Sequence, residues 1–197
     1  MTLRGLLNSE EFLELNDDVR VVVDEVDVMM STRPPNVSLV AVEGDRELWR
    51  TVLPDFAPDI TSAEVDNHTV DYRAAGWESG QLLVVAGEDR AYLIGYVDGR
   101  VKRELPLGAT GISTVDFVGI VELRHGSLLA VASAKVVWLV NGQAEIVGEF
   151  RYQGPVDSVR AGQPNELVVA FYDVENASWP VVDHVINLDD LGGAARA

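Results

Sequence analysis

Two short turns, Asp98-Gly99 and Asn141-Gly142, each stand between two runs of β-forming residues and lie 43 residues apart. Asp-Gly and Asn-Gly suit a two-residue type I′ hairpin, because both central residues of that turn take φ > 0. The strands before the turns match as well. Leu82-Leu83-Val84-Val85-Ala86 precedes the first, Leu128-Leu129-Ala130-Val131-Ala132 precedes the second, and Leu167-Val168-Val169-Ala170-Phe171 follows in a third copy. Near-continuous apolar runs of this length read as strands covered on both faces. The chain is therefore built from a β-unit used more than once, which restricts its fold far more than its composition does.

From Val19 onward the chain keeps to β patterning. Residues 19–23 and 26–30 are strand-like, Arg33-Pro34-Pro35-Asn36 is a loop because two prolines interrupt pairing, and 37–42 and 47–53 flank the turn Glu43-Gly44-Asp45. The second unit runs through 60–65, 70–77, 81–86, 91–97 and 100–107. The third runs through 112–123, 127–132, 136–140 and 145–152, and the fourth, opening at Val156 after Gly154-Pro155, has 166–172 and 181–188 but no strand beyond. Unit starts align at Ile60, Ile112 and Val156, spaced by 52 and 44 residues.

Units of 40–50 residues with four antiparallel strands each resemble the blades of the β-propeller class. The resemblance covers about residues 19–188, without the Gly-His and Trp-Asp marks of WD repeats and without a paired-glycine kelch signature. It implies an all-β domain of antiparallel four-stranded blades, a small propeller-like domain of about four blades. An open β-sandwich or a half-ring is the alternative. Residues 19–191 form the repeat-built domain on this reading, and 192–197 a frayed tail. Residues 1–18 are either a short helix, with Ser9 as N-cap and Glu10 and Glu11 in its first turn, or a strand through Leu3, Leu6 and Leu7. Such a strand would supply what the fourth unit lacks and bring the termini together.

Charge is the compositional outlier: 32 acids against 15 bases give a net charge of −17. Such a surface repels nucleic acid and anionic lipid and attracts cationic partners. Hydrophobic residues make up 47%, enough for a packed core, and there is no cysteine for a disulfide, a thiol nucleophile or a thiolate metal site. Residues 1–15 lack the apolar stretch of a signal peptide, and no apolar run approaches the ~20 residues that span a bilayer. A cytoplasmic protein is expected, with no membrane and no nucleic-acid partner; oligomeric state is left open.

Catalytic motifs are missing. His68, His125 and His184 are scattered, and Asp183 and His184 are strand neighbours that point to opposite faces. Gly108-Ala109-Thr110-Gly111 lacks phosphate-loop spacing, and Asp17-Asp18 and Asp189-Asp190 lack the alternating ligands of a calcium loop. No enzyme activity, cofactor or metal is expected. Binding is the remaining function, and two residue sets are candidates for it. Glu10, Glu11, Glu14, Asp17, Asp18, Asp24, Glu25 and Asp27 crowd against the single base Arg20, and no Lys or Arg occurs from Phe171 to Leu191. Of the four tryptophans, Trp138 reads as core, whereas Trp179, in a polar loop, and then Trp49 and Trp77 are candidate contact residues. The expectation is a protein-binding module for a basic protein, in its concrete form an acidic immunity or inhibitor-type protein that neutralises a basic toxin or nuclease. An aromatic interaction scaffold and a ligand-binding or hydrolytic propeller are the alternatives.

Overall fold

The computed structural model describes residues 5–7, 12–14, 19–26, 37–53, 71–86, 90–107 and 117–191. Their regular structure is β, apart from 3-10 turns at Arg124–Gly126 and 188–191. The chain divides into two compact units, Met1–Val115 and Asp116–Ala197.

The first unit holds two antiparallel sheets. One has the order β2-β3-β4-β5, from Phe12–Glu14, Val19–Val26, Val37–Glu43 and Arg46–Leu53; the other has the order β1-β6-β7-β8-β9, from Gly5–Leu7, Asp71–Trp77, Leu82–Ala86, Arg90–Gly95 and Val101–Pro106. The second unit repeats the plan. Its third sheet is β10-β11-β12-β13, from Phe117–Leu123, Leu128–Ser133, Val136–Asn141 and Ile146–Arg151; its fourth is β14-β15-β16, from Val156–Ala161, Glu166–Tyr172 and Val181–Asn187. Four sheets built on one pattern give the propeller-like, about four-bladed architecture that the repeats imply.

Alternation decides the cores. In the first unit Val21, Leu39, Ala41, Trp49 and Leu53 of one sheet meet Leu83, Val85, Tyr92, Ile94 and Tyr96 of the next. In the second unit Leu128, Ala130, Val137 and Leu139 meet Val156, Leu167, Val169 and Ile186. The runs read as doubly covered are so: every residue of β7 and of β11 is buried. Side chains on both faces of these central strands are withdrawn from water at about 25 cal/mol per Å² of apolar surface, which makes them the main source of stability.

Neither turn that revealed the repeat is a two-residue type I′ hairpin. Gly99 has φ +63°, but Asp98 and Gly142 have no positive φ. In the first turn the Gly99 amide donates to the Gly95 carbonyl (3.0 Å) and the Gly95 amide to the Arg100 carbonyl (3.0 Å). The Asp98 carboxylate accepts from the Arg100 amide (3.0 Å) and from Lys102 Nζ (2.7 Å), and Lys102 holds its carboxyl below the usual range. In the second turn the left-handed residue is Ala144, φ +61°, and Asn141 Oδ1 accepts from the amides of Gln143 and Glu145 (both 3.0 Å). Gly99 therefore corresponds to Ala144, not to Gly142, and the second loop is one residue shorter. The strands give the true period: Asp71 and Phe117, Leu82 and Leu128, and Arg90 and Val136 are each 46 residues apart.

The first turn does more than reverse the chain. Trp49 Nε1 of β5 donates to the Tyr96 carbonyl (2.6 Å), and the Thr51 hydroxyl donates to the Gly99 carbonyl. A Cβ on Gly99 would lie 2.6 Å from two ring carbons of Trp49. The glycine is thus fixed twice, by its left-handed backbone and by the indole lying against it.

The N-terminal strands are present but belong to the first unit. β1 pairs with β6 and β2 with β3. Phe12–Glu14 is strand, not helix, and residues 8–11, including the proposed N-cap Ser9, lie outside the described residues. In the fourth sheet β16 has no outer neighbour among the described residues.

Candidate functional site

The second unit carries a cleft of about 750 Å³ where the end of β13 meets β15 and β16. Three hydrogen bonds to backbone carbonyls build it. Past β13 the Tyr152 amide donates to the Lys135 carbonyl (2.9 Å), Lys135 Nζ donates to the Gln153 carbonyl (2.6 Å), and the Tyr172 amide donates to the Pro155 carbonyl (2.9 Å). Gly154 sits where the chain crosses Tyr172; a Cβ there would be 1.7 Å from the Tyr172 carbonyl oxygen. This close crossing directs the Tyr152 ring into the cleft.

There Tyr152 lies against Phe171, centroids 5.0 Å apart at 48°, and edge-on to His184, centroids 5.8 Å apart at 67°. Its hydroxyl and His184 Nδ1 are 2.9 Å apart and share a hydrogen bond whose direction follows the histidine tautomer. Burial pushes the Tyr152 phenol up to about 12, so at neutral pH it is protonated and able to donate. Glu149, Asp173 and Glu175 also line the cleft. Glu149 is paired with Arg151 (2.5 Å), and Asp183 with Arg160 (2.5 Å). Asp173 accepts the Glu175 amide (3.1 Å), and neither of these two carboxylates has an ion-pair partner among the described residues. Aromatic faces beside uncompensated carboxylates suit a cationic side chain, held by charge and by the ring quadrupole together. The volume is that of an ordinary ligand pocket.

No family model matches the sequence, and no curated protein matches it. Solved structures do. The C-terminal WD40 domain of Sif2 superposes with a TM-score of 0.52 at 13% identity, over 92% of this chain and 44% of that one. A eukaryotic initiation factor superposes with a TM-score of 0.50 at 8% identity, again over 92% and 44%. The fold is propeller-like. At these identities the likeness is one of fold alone, and the chain spans less than half the length of each of these two chains.

Within this propeller-like chain the expected contact residues separate. Trp49 and Trp77 are core residues, 7% and 1% exposed. Trp49 is committed to Tyr96, and the Trp77 ring covers Gly80, where a Cβ would stand 2.1 Å from it. Neither indole can meet a partner. Trp179 is 58% exposed, in a loop where its own φ is +48° and its amide donates to the Asn176 carbonyl (2.9 Å). Glu10, Glu11, Asp17, Asp18 and Asp27 lie outside the described residues. Glu14 falls on β2 in register with Arg20, and Asp24 on β3 where the ladder with β4 slips. His125 is exposed on the 3-10 turn, His68 lies outside the described residues, and His184 alone joins the cleft. Strand parity gives Asp183 and His184 different partners, Arg160 and Tyr152, but it does not keep them out of one site: both residues line the cleft. Tyr152 and Phe171 carry no joint signal in the sequence, because 19 residues and a sheet change separate them and no spacing rule joins such positions. Among the described residues no three His, Cys, Asp or Glu side chains gather to hold a metal, and no helix is long and apolar enough to cross a membrane.

Proposed function

We propose that the chain is a non-enzymatic protein-binding module whose partner is basic and docks at the cleft of the second unit. One observation carries the reading: Asp173 and Glu175, without ion-pair partners among the described residues, stand beside Tyr152 and Phe171 in a stretch, 161–191, that has six acids and no Lys or Arg. The net charge of −17 supports it, since complementary charge accelerates association and rejects acidic competitors. In its concrete form the protein is an inhibitor or immunity-type partner of a basic toxin or nuclease, meeting the lysines and arginines such an enzyme uses on phosphate. The exposed Trp179 supports a second reading, in which an aromatic anchor on the 173–180 loop dominates the contact.

The test is calorimetric titration with an arginine-rich nonapeptide as probe. The module binds it at low salt and loses affinity as the Debye length falls from about 10 Å at 0.1 M toward about 3 Å at 1 M. Asp173→Asn with Glu175→Gln keeps size and the Asp173 turn and weakens binding about tenfold, whereas Trp179→Ala leaves it within about twofold. Binding indifferent to salt and to the double variant refutes the electrostatic reading. Loss confined to Trp179→Ala favours the aromatic one.

A further inference from the structure

β16 takes the place in its sheet that β4, β8 and β12 take in theirs, but each of those is followed by an outer strand, β5, β9 or β13. Those three outer strands carry the devices that blunt a sheet edge. Each slips register against its neighbour, at Ala41/Val42, Leu93/Ile94 and Leu139/Val140. Each also bears basic side chains: Arg46 and Arg50, Lys102 and Arg103, Arg151. β16 has neither. Its seven residues pair with β15 in unbroken register and include no Lys, Arg or Pro. In both respects it lacks the protection of the outer strands, and five of its seven residues are exposed.

Its free edge has a definite set of groups. The Leu188 amide donates to the Asn165 carbonyl (2.8 Å) and the Asp173 amide to the Pro180 carbonyl (2.9 Å). In an antiparallel ladder hydrogen-bonded pairs alternate, so the even residues of β16 bond to β15. The odd ones, Val181, Asp183, Val185 and Asn187, turn their amides and carbonyls outward, and no strand takes them among the described residues. Side chains alternate as well. His184 faces Tyr152 and the cleft, while Val181 and Val185, on the other face, are 48% and 52% exposed.

We propose that this edge takes an extended, basic strand from a partner protein, which completes the fourth sheet. This rests on the basic-partner reading and specifies how that partner binds. The described N-terminal strands are engaged elsewhere, β1 on β6 and β2 on β3. The acids of 161–191 favour a cationic segment over an acidic or neutral one. Side-chain alternation then sets the pattern of the added strand. Every second residue lies on the cleft side near His184 and is cationic, and those between lie over Val181 and Val185 and are β-branched.

The probe is an acetylated octapeptide of alternating lysine and valine, titrated by calorimetry. It binds one to one. Val185→Pro removes a free-edge amide without touching the β15 ladder, and weakens binding at least about fivefold, while Val185→Ala, which keeps the amide, changes it by less than about threefold. An octapeptide of alternating threonine and valine binds at least about tenfold more weakly. Val185→Pro must retain the wild-type unfolding transition. If it does not fold, amide exchange in the wild type decides: the peptide protects the amides of residues 181, 183, 185 and 187, and unchanged exchange there overturns the proposal. Equal binding by wild type and Val185→Pro overturns the edge and leaves the basic-partner reading intact, as does binding of the arginine-rich nonapeptide but not the octapeptide. Failure of both peptides overturns both. Self-association of the free chain that the octapeptide does not disperse, seen by sedimentation, overturns the edge as a partner site.

Discussion

Gly99→Ala should destabilise the first unit far more than Gly142→Ala destabilises the second. At Gly99 an alanine carries about 1–2 kcal/mol of left-handed backbone strain. Its Cβ would also stand 2.6 Å from the Trp49 ring, so the indole must move. Overpacking of this kind costs about 1–3 kcal/mol, and displacing the indole strains the bond to the Tyr96 carbonyl, about 0.5–1.5 kcal/mol. The sum is about 2.5–6.5 kcal/mol, or about 5–25 °C in the Tm of a chain this size. Gly142 has no positive φ and is exposed, so alanine there changes stability by less than about 0.5 kcal/mol. Urea and thermal unfolding, followed by circular dichroism and tryptophan fluorescence, measure both. Trp49 and Trp77 report on the first unit, and Trp138 and Trp179 on the second, so transitions that separate can be assigned. Equal losses in the two variants would refute the assignment of Gly99 to Ala144 and restore two equivalent type I′ turns.

Two further outcomes follow from the packing of the second unit. Gly154→Ala places a methyl 1.7 Å from the Tyr172 carbonyl oxygen and should lower the Tm of that unit by about 10 °C or more, read in the same unfolding experiments; a shift under about 2 °C would show that the crossing is not close. Tyr152 is neutral when folded, with its phenol pushed from 10 up to about 12, so the stability it contributes is full below pH 10 and is lost as pH rises through 12. Tyr152→Phe should therefore flatten the fall in stability of the second unit between pH 10 and 12, and an unchanged slope would place that phenol in water. Burial and the nearby Glu78 raise the Tyr96 phenol too, which keeps the alkaline fall of the first unit in both proteins.

The fold was largely legible in the sequence, and the site was not. Period-2 patterning and the doubly apolar runs at 82–86 and 128–132 are dictated by burial, so they report strands directly. The turns misled in register because Asn141-Gly142 has the composition of a type I′ turn while Asn141 Oδ1, by accepting two amides, holds a longer loop with Ala144 left-handed. Local propensity could not see that side-chain bond. Trp49 and Trp77 misled for a related reason. An indole near a strand end reads as a contact anchor until a glycine is found beneath it, Gly99 of a distant turn for Trp49 and Gly80 of the adjoining turn for Trp77. The cleft depends on Gly154 crossing Tyr172 and on Tyr152 reaching His184 across 32 positions, contacts with no sequence spacing of their own. The acid-rich, base-free stretch from Phe171 to Leu191 was the one visible trace of it.

Docking of a basic partner on the second unit is read out by residue-resolved amide chemical shifts during titration with the arginine-rich nonapeptide. Perturbations confined to the cleft around Tyr152, Phe171, Asp173 and His184 are expected, with the first unit silent. Perturbations centred on the acids of residues 10–27, or spread evenly over both units, would contradict docking there.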